Sequence, residues 1–248
     1  MKVLEFTNRK GGVGKTTLSC HAAWFFAEKR RVLLVELDEQ RNASRTFEED
    51  VVLEITATDL CAGKVEIPGL DSPGISIIAA DDKLKKYATD PKAGIPQLRT
   101  NILNAADGYD ICIIDTPPAA NALSIGPLLF ATHVIAPINL EHYSLQGIES
   151  VLQSIIGAKQ QFNPDLDFLG MLPNEYVANQ PAQKDLLKGL IDKFGHRFLF
   201  DAVLHQRQGY SDAAANKQPV WLDTKTAART AGKEMRAVME KIEGRIWA

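Results

Sequence analysis

The 248 residues carry a formal net charge of −3, which excludes a uniformly basic, histone-like protein. Of these residues 45% are apolar, which is enough for the core of one large domain, so we predict a single domain over residues 1–248. No apolar run reaches the length of a membrane span or of a signal peptide, so we expect a soluble, cytoplasmic protein. Three distant cysteines without a Cys-x-x-Cys or Cys/His pattern exclude zinc and iron–sulfur sites.

Short apolar runs rich in Val, Ile and Leu alternate along the chain with stretches of helical periodicity. Because the runs are continuously apolar, we expect strands that are covered on both faces. The predicted strands are Val3–Thr7, Arg31–Leu37, Ile75–Ala79, Asp110–Ile114, His133–Ile138, Phe168–Leu172 and Phe198–Leu204. The predicted helices are Lys15–Lys29, Ile95–Ala106, Leu145–Phe162, Gln183–Phe194 and Thr226–Ile246. These elements predict an α/β fold, with a doubly wound, largely parallel sheet and helices on both faces.

The sequence RKGGVGKTT (Arg9–Thr17) joins the first predicted strand to the first predicted helix, which is the context of a phosphate-binding loop. Its glycines let backbone N–H groups turn towards phosphates, and the helix N-terminus adds a favourable dipole. Lys15 would neutralise the β- and γ-phosphates, Thr16 would ligate Mg²⁺, and Thr17 would contact the α-phosphate. The predicted nucleotide-binding residues of the loop are Gly11, Gly12, Val13, Gly14, Lys15, Thr16 and Thr17.

Asp115 ends an apolar strand in the sequence ICIIDTPP. Ligands of parallel α/β sheets bind beyond the carboxyl ends of the strands, where this carboxylate would meet the phosphate loop. An aspartate after a strand is commonly a turn or helix cap, but beside a phosphate loop it is typical of a magnesium site. We therefore predict that Thr16 and Asp115 contribute to Mg²⁺ binding.

A family resemblance rests on three motifs: Lys10 together with Lys15, the sequence ELDEQRN (Glu36–Asn42), and DTPP (Asp115–Pro118). The chain resembles the deviant Walker family of ParA-type partition ATPases, whose closest relatives are the MinD-type ATPases. The resemblance covers nearly the whole chain and extends through Ala136–Leu152 and Asn216–Leu222. It implies a P-loop NTPase fold, with ATP and Mg²⁺ as ligands.

The resemblance also implies roles for single residues. Lys10 would be the signature lysine, which reaches the phosphates of the partner subunit in an ATP-bound homodimer, as an arginine finger does elsewhere. Asp38 would orient the attacking water and support the Mg²⁺ shell. Asn174 stands where relatives contact adenine, although a plain turn residue at a strand end fits nearly as well. Glu39 stands where the family commonly has proline, so we predict slow intrinsic hydrolysis.

The function that the resemblance implies is an ATP-dependent dimerising switch for DNA segregation or cargo positioning. The ATP-bound dimer would bind DNA without sequence preference and associate with the nucleoid, and a ParB-like or adaptor protein would stimulate hydrolysis. From Lys184 onward the chain has 12 Lys and Arg against 8 Asp and Glu, which suits phosphate contacts but also an ordinary solvated surface. The candidate DNA contacts are Lys184, Lys188, Arg207, Lys217, Arg229, Lys233 and Arg236.

Three alternatives remain open at this stage. A MinD-like protein would bind membranes, and the C-terminal sequence does place Met235, Val238, Met239, Ile242 and Ile246 at helical spacing. Such a helix more often packs on the sheet, and nearby glutamates weaken attraction to anionic lipid. A metabolic ATP-dependent ligase on the same scaffold would need a second substrate pocket. A non-catalytic scaffold gated by nucleotide would result if Glu39 made hydrolysis negligible.

Overall fold

The computed structural model describes residues 1–141, 145–223 and 225–248. Its centre is a seven-stranded sheet in the order β3-β4-β2-β5-β1-β6-β7, and all neighbouring strands are parallel. The strands are β1 (Lys2–Phe6), β2 (Arg31–Glu36), β3 (Val52–Thr56), β4 (Gly74–Ala79), β5 (Ile111–Asp115), β6 (His133–Asn139) and β7 (Asp167–Asn174). The predicted doubly wound, parallel fold is confirmed.

Helices cover both faces of this sheet. They are α1 (Lys15–Ala27), α2 (Ala57–Ala62), α3 (Pro91–Asn104), α4 (Ala122–Ile125), α5 (Leu145–Gln161), α6 (Pro181–Phe194), α7 (Gln208–Ala215) and α8 (Thr226–Ile246). One apolar core joins the sheet to α2, α3, α4, α5 and α6, and the other joins it to α1, α7 and α8. Because successive strand residues point to opposite faces, β1 places Val3 in the first core and Leu4 in the second.

The strand register gathers the polar strand ends at one edge. Asp115 at the end of β5 is paired with Glu36 of β2 on one side and with Phe6 of β1 on the other. Since parallel strands share their carboxyl edge, the loops that follow β1, β2 and β5 meet there. The fold thereby brings Arg9–Thr17, the segment after Glu36 and the segment after Asp115 together.

The structure differs from the predicted strands in two places. Strand β3 was not predicted, because its residues are half-exposed at the sheet edge and Glu54 faces solvent, so the run lacks continuous apolarity. The predicted strand Phe198–Leu204 is wrong. This segment runs beside β7 and makes only isolated bridges among the described residues, such as that between Met171 and Leu199. The Ala202 N–H turns back to the Phe200 carbonyl at 2.8 Å, which interrupts the ladder.

The C-terminal helix α8 packs on the sheet. The five apolar residues that a MinD-like membrane helix would expose are all buried in the core that contains α1. This face is therefore engaged by protein, which removes the sequence argument for lipid binding. Within the described ranges, no helix combines the length and apolarity needed to cross a bilayer.

The three cysteines are buried and free. Cys20 lies in α1, Cys61 in α2 and Cys112 in β5. Burial raises the pKa of all three thiols, and that of Cys61 reaches about 12. They act as small apolar core residues, as their sequence surroundings predict.

Candidate nucleotide-binding site

The loop between β1 and α1 has the backbone of a phosphate-binding loop. Gly12 and Gly14 adopt left-handed conformations, with φ of 70° and 90°. At Gly14 a Cβ atom would lie 2.1 Å from the Asn174 Nδ2 atom, so glycine is required by both conformation and space. The Leu18 N–H donates to the Gly14 carbonyl at 2.9 Å, which starts α1 directly behind the loop. The helix N-terminus therefore faces the concave side of the loop.

Lys15 is buried, and its ammonium donates a 3.0 Å hydrogen bond to the Lys10 carbonyl. Burial lowers the pKa of Lys15, whereas the nearby charges of Asp115 and Asp38 act in the opposite direction. A cation held in a partly desolvated loop attracts an anion more strongly than one in water. Lys15 thus has the surroundings that its predicted role at a triphosphate requires.

The backbone of Lys10 is fixed from both sides. Its N–H donates to the Asn8 Oδ1 atom at 3.0 Å, and the Asn8 Nδ2 atom donates to the Pro137 carbonyl of β6 at 2.7 Å. The neighbouring Arg9 guanidinium donates to the Ser150 hydroxyl of α5 at 2.9 Å. The loop is therefore anchored to β6 and α5 immediately before the glycines.

Asp115 is the buried centre of the candidate metal site. The Thr16 hydroxyl donates to its Oδ2 atom at 2.8 Å, and the Ser19 hydroxyl donates to its Oδ1 atom at 3.1 Å. The pKa of Asp115 is raised to about 7, mainly by burial and also by the Glu36 charge, and the Thr16 and Ser19 hydrogen bonds and the Lys15 charge oppose this shift. A carboxylate with so unfavourable a desolvation is poised to be stabilised by a cation.

The segment after β2 is organised by two acids. Glu36 accepts hydrogen bonds from the N–H groups of Ala43 and Ser44, at 2.7 and 3.3 Å. Burial raises its pKa and these bonds oppose the shift. Asp38 is buried and accepts from the Gln40 N–H at 3.0 Å. Glu36, the first residue of the ELDEQRN sequence, therefore holds the segment in place, and Asp38 is close enough to Lys15 for its charge to act against the lowering of that lysine's pKa by burial.

The oxygen donors at this edge fit Mg²⁺ bound together with a nucleotide. Thr16, Asp38 and Asp115 offer hydroxyl and carboxylate oxygens, which are the ligands that this hard cation prefers. Across the described part of the chain, no group of three or more His, Cys, Asp or Glu side chains could hold a metal by itself. Mg²⁺ commonly completes its shell with phosphate oxygens and water, so this donor set matches a metal that arrives with ATP.

A cavity of about 620 Å³ adjoins the loop on the side of β7. Its walls include Gly14, Thr17, Asn174, Arg207 and Tyr210. The Asn174 amide donates to the Val13 carbonyl at 2.9 Å, which ties the end of β7 to the phosphate loop. The position of Asn174 on the wall is compatible with the predicted adenine contact, which stays a prediction.

His21 connects the loop helix to the C-terminal segment Asn216–Leu222. Its Nδ1 atom lies 2.7 Å from the Thr17 carbonyl, and its Nε2 atom accepts from the Val220 N–H at 3.2 Å. Because a backbone N–H can only donate, Nδ1 carries the proton. Burial lowers the pKa of His21 to about 4, so the ring is neutral at physiological pH.

Two of the candidate DNA contacts, both arginines, make half-buried ion pairs within the chain. Arg207 bonds Glu234 at 2.5 Å and also lines the 620 Å³ cavity, so it belongs to the nucleotide side of the molecule. Arg236 bonds Glu28 at 2.6 Å and lies over the Trp221 ring. Both guanidinium groups therefore contribute to packing around α8.

The other candidate DNA contacts are exposed. They are Lys184 and Lys188 on α6, Lys217 after α7, and Arg229 and Lys233 on α8. Lys217 lies 3.7 Å from Glu48, an exposed pair that contributes little stability. These five cations stay the predicted DNA contacts.

Several residues of the site were not predicted from the sequence. Asn8, Arg9, Ser19 and His21 hold the loop and Asp115 through side-chain hydrogen bonds, and the sequence predicted no role for any of them, although Arg9 begins the RKGGVGKTT loop. Ser19 follows Thr16 by three residues on α1, so helical spacing alone would place both hydroxyls on one face. The bonds of the others join residues more than a hundred positions apart, which local patterns do not reveal.

Comparison with known proteins assigns the family. A family model described as an AAA domain matches residues 1–168. The Escherichia coli protein IncC is 34% identical to the chain, over 98% of this chain and 69% of IncC. The chromosome partitioning protein ParA of Caulobacter vibrioides is 29% identical, over 93% and 91% of the two chains.

A solved structure of cobyrinic acid a,c-diamide synthase from Mycobacterium smegmatis, with bound ADP and magnesium, superposes with a TM-score of 0.72. It is 26% identical and covers 96% of this chain and 92% of that chain. The similarity to IncC and ParA agrees with the two-lysine loop and with the acids that follow β2 and β5. The chain belongs to the family of ParA-type partition ATPases.

Proposed function

We propose that the chain hydrolyses ATP and works as a dimerising switch that segregates DNA or positions a cargo. The observation that carries this proposal is the pair of contacts at the loop: the Lys15 ammonium on the Lys10 carbonyl, and the Thr16 hydroxyl on the Asp115 carboxylate. These contacts bring Lys15, the Lys10 backbone and the Asp115 carboxylate together at one edge of the sheet, which supports the roles proposed for them. The partition relatives support the biological role.

Each residue has a distinct part in the proposed hydrolysis. Lys15 and the loop N–H groups hold the phosphates, and Thr16 and Asp115 hold Mg²⁺, which would neutralise phosphate charge when bound. Asp38 orients the attacking water. Lys10 belongs to the neighbouring subunit's active site, where an inserted cation stabilises the negative charge of the transferring phosphoryl group. ATP and dimerisation then favour each other.

The exposed cations on α6 and on α8, which belong to the helix layers on opposite faces of the sheet, support non-specific DNA binding by the ATP-bound dimer. Contacts to DNA phosphates need positive charge and carry no sequence preference. A ParB-like or adaptor protein on the cargo would accelerate hydrolysis and release the dimer from DNA. Glu39 is exposed beside Asp38, which supports the prediction that hydrolysis without this partner is slow.

A metabolic synthase is the second candidate, because one similar solved structure is titled cobyrinic acid a,c-diamide synthase. Such an enzyme would turn over ATP only when a carboxylate substrate and an amide donor are supplied, and DNA would have no effect. A partition ATPase needs neither substrate. The two candidates therefore differ in which addition changes the rate of phosphate release.

One set of assays tests the proposal. Purified protein is incubated with Mg²⁺ and ATP, and phosphate release, sedimentation and plasmid retardation at low salt are measured. We expect slow release, a dimer with ATP but not with ADP, and DNA retardation only with ATP. The double variant Lys188→Glu/Lys233→Glu should weaken retardation, whereas the matched double change Lys64→Glu/Lys85→Glu, at exposed positions that follow β3 and β4, should not. Release that depends on cobyrinic acid and glutamine, without DNA retardation, would favour the synthase.

A further inference from the structure

An apolar groove lies on the face of the molecule formed by α3, α4 and the end of α5. Its volume is about 870 Å³, larger than the cavity beside the phosphate loop. The walls are mainly apolar and include Ile95, Ile125, Leu129 and Phe130. Soluble proteins rarely leave an apolar depression of this size open to water unless it receives a ligand or a partner.

Phe162 marks the rim of this groove. The side chain follows α5 and is 66% exposed, the highest value among the large apolar residues described as exposed. An exposed aromatic ring beside an apolar floor is a typical anchor of a protein interface, because it can bury a large area with little loss of rotamer freedom. The groove therefore combines a pocket and an anchor.

The charged residues that line the groove are positive. Of the described residues that line it, Lys92 and Arg99 are the charged ones, and both are exposed on α3. They are seven residues apart, which places them on the same side of the helix, about 10 Å from each other along its axis. The Asp90 carboxylate nearby caps α3 by accepting from the Lys92 N–H at 2.9 Å. A segment that fits this surface would present apolar side chains to the floor and carboxylates to the two cations.

The groove is connected to the phosphate loop by short contacts. The floor helix α4 includes Ser124, whose hydroxyl donates to the Ala119 carbonyl in the segment that follows Asp115. The Ser124 carbonyl accepts from the Thr7 hydroxyl at 3.2 Å, just before the loop. A Cβ atom at Gly11 would lie 3.4 Å from the Pro118 Cβ atom of the same segment. A ligand that shifts α4 would thus act on both sides of the nucleotide site.

We propose that this groove is the docking site for an acidic amphipathic helix of the partner protein that stimulates hydrolysis. The proposal rests on the partner-stimulated function above. The partner helix presents apolar residues at spacings of three and four to the floor and to Phe162, and its Asp or Glu side chains pair with Lys92 and Arg99. Seating this helix moves α4 and, through Ser124, the segment that follows Asp115.

The test uses three synthetic peptides of 18 residues that share one pattern, in which one kind of side chain recurs at spacings of three and four on one face of the helix. One carries leucines and glutamates, one carries leucines and lysines, and one carries serines in place of the leucines. Methyl-labelled full-length protein with Mg²⁺ and ATP is titrated with each peptide. We expect the leucine–glutamate peptide to shift the methyl signals of Ile95, Ile125 and Leu129 and to raise phosphate release at least threefold. The other two peptides should bind at least tenfold more weakly.

Matched variants locate the binding. Phe162→Ser should lower the affinity for the leucine–glutamate peptide at least tenfold, and so should the double variant Lys92→Glu/Arg99→Glu. Leu222→Ser, at a residue that is 61% exposed outside the groove, and Lys29→Glu should leave its affinity unchanged. The proposal is overturned if the groove variants bind the leucine–glutamate peptide as tightly as the unmodified protein, or if the protein prefers the lysine peptide. It is also overturned if phosphate release stays unchanged while the groove is occupied.

Two controls separate this proposal from others. If Phe162→Ser instead abolishes the ATP-dependent dimer in sedimentation, the occupant is a second copy of the chain and the proposal is wrong. Nucleotide affinity and basal phosphate release are measured on the same samples. If nucleotide affinity and basal phosphate release are normal but no peptide binds, only the docking proposal is rejected. If the unmodified protein does not bind ATP, the proposed function is rejected.

Discussion

The Lys15 ammonium donates a 3.0 Å hydrogen bond to the backbone carbonyl of Lys10, so the two lysines of the loop are in direct contact through one side chain. The Lys15 ammonium lies close to the charges of Asp115 and Asp38. In the proposed function the two lysines have different tasks. Lys15 would bind the nucleotide of its own chain, and Lys10 would reach the nucleotide of the partner subunit.

Alanine variants separate these tasks. Lys15→Ala should weaken ATP binding by the monomer about 100-fold or more, because a charge-assisted contact to phosphate is lost. Lys10→Ala should leave monomer binding within about threefold but lower partner-stimulated hydrolysis by about 10³-fold, the effect of losing an inserted cation. Equilibrium binding of a fluorescent ATP analogue and single-turnover phosphate release measure the two effects. Equal loss of binding in both variants would contradict the division of tasks.

Asp115 should make the stability of the nucleotide-free protein fall as pH rises. Its pKa is raised to about 7 in the fold, so the folded chain binds more protons than the unfolded chain between about pH 4 and 7. The stabilising contribution is complete at low pH and is lost as pH rises to 7. The Asp115→Asn variant lacks this pH-dependent contribution. Between pH 5 and pH 8, its free energy of unfolding in urea should therefore rise by about 2–4 kcal/mol relative to that of the unmodified protein. Parallel pH profiles would argue against a buried, titrating Asp115.

His21 should change the stability in the opposite direction over nearly the same pH range. Because its pKa is lowered to about 4, the unfolded chain binds more protons between about pH 4 and 6.5, and stability is lost as pH falls through this window. His21→Gln, which cannot titrate, should reduce the loss between pH 7 and 4 by about 3 kcal/mol. The exposed His196 provides the control, and His196→Gln should leave the acid branch of the profile unchanged.

Glu5 lies in the middle of β1 with both carboxylate oxygens buried and without a hydrogen-bond partner among the described residues. Burial raises its pKa well above the usual range. Glu5→Leu removes an unpartnered polar group and should increase the unfolding free energy by about 1–3 kcal/mol at pH 8. Urea unfolding measures this gain, and the matched change Glu54→Leu at an exposed position of β3 should stay within about 0.5 kcal/mol. A destabilised Glu5→Leu variant would point to an unrecognised role for this carboxyl.

The central strands and the chemical residues of the loop could be predicted from the sequence, because both have strong local signals. Buried parallel strands are continuously apolar, and the phosphate loop is a contiguous motif. The edge elements have no such signal. Strand β3 is half-exposed, and Phe198–Leu204 is apolar because it covers β7 without joining the sheet as a strand.

The supporting shell of the site depends on tertiary structure. The link between His21 and Val220 spans 199 positions, and that between Asn8 and Pro137 spans 129. Glu36 shows a different reason: the sequence identifies it only as part of the ELDEQRN motif, and the fold shows that its two oxygens accept hydrogen bonds from the backbone of Ala43 and Ser44. Motifs indicate which groups do chemistry, and packing decides which groups hold them.

The sealed thiols of Cys20, Cys61 and Cys112 make this chain a convenient subject for site-directed spectroscopy. Maleimide dyes react with exposed thiolates, which none of the three supplies in the folded state. A single cysteine engineered at an exposed position such as Lys29 would therefore carry the label alone, with the native sequence otherwise intact. Energy transfer between two such labelled subunits would follow pairing and separation in real time during a nucleotide cycle.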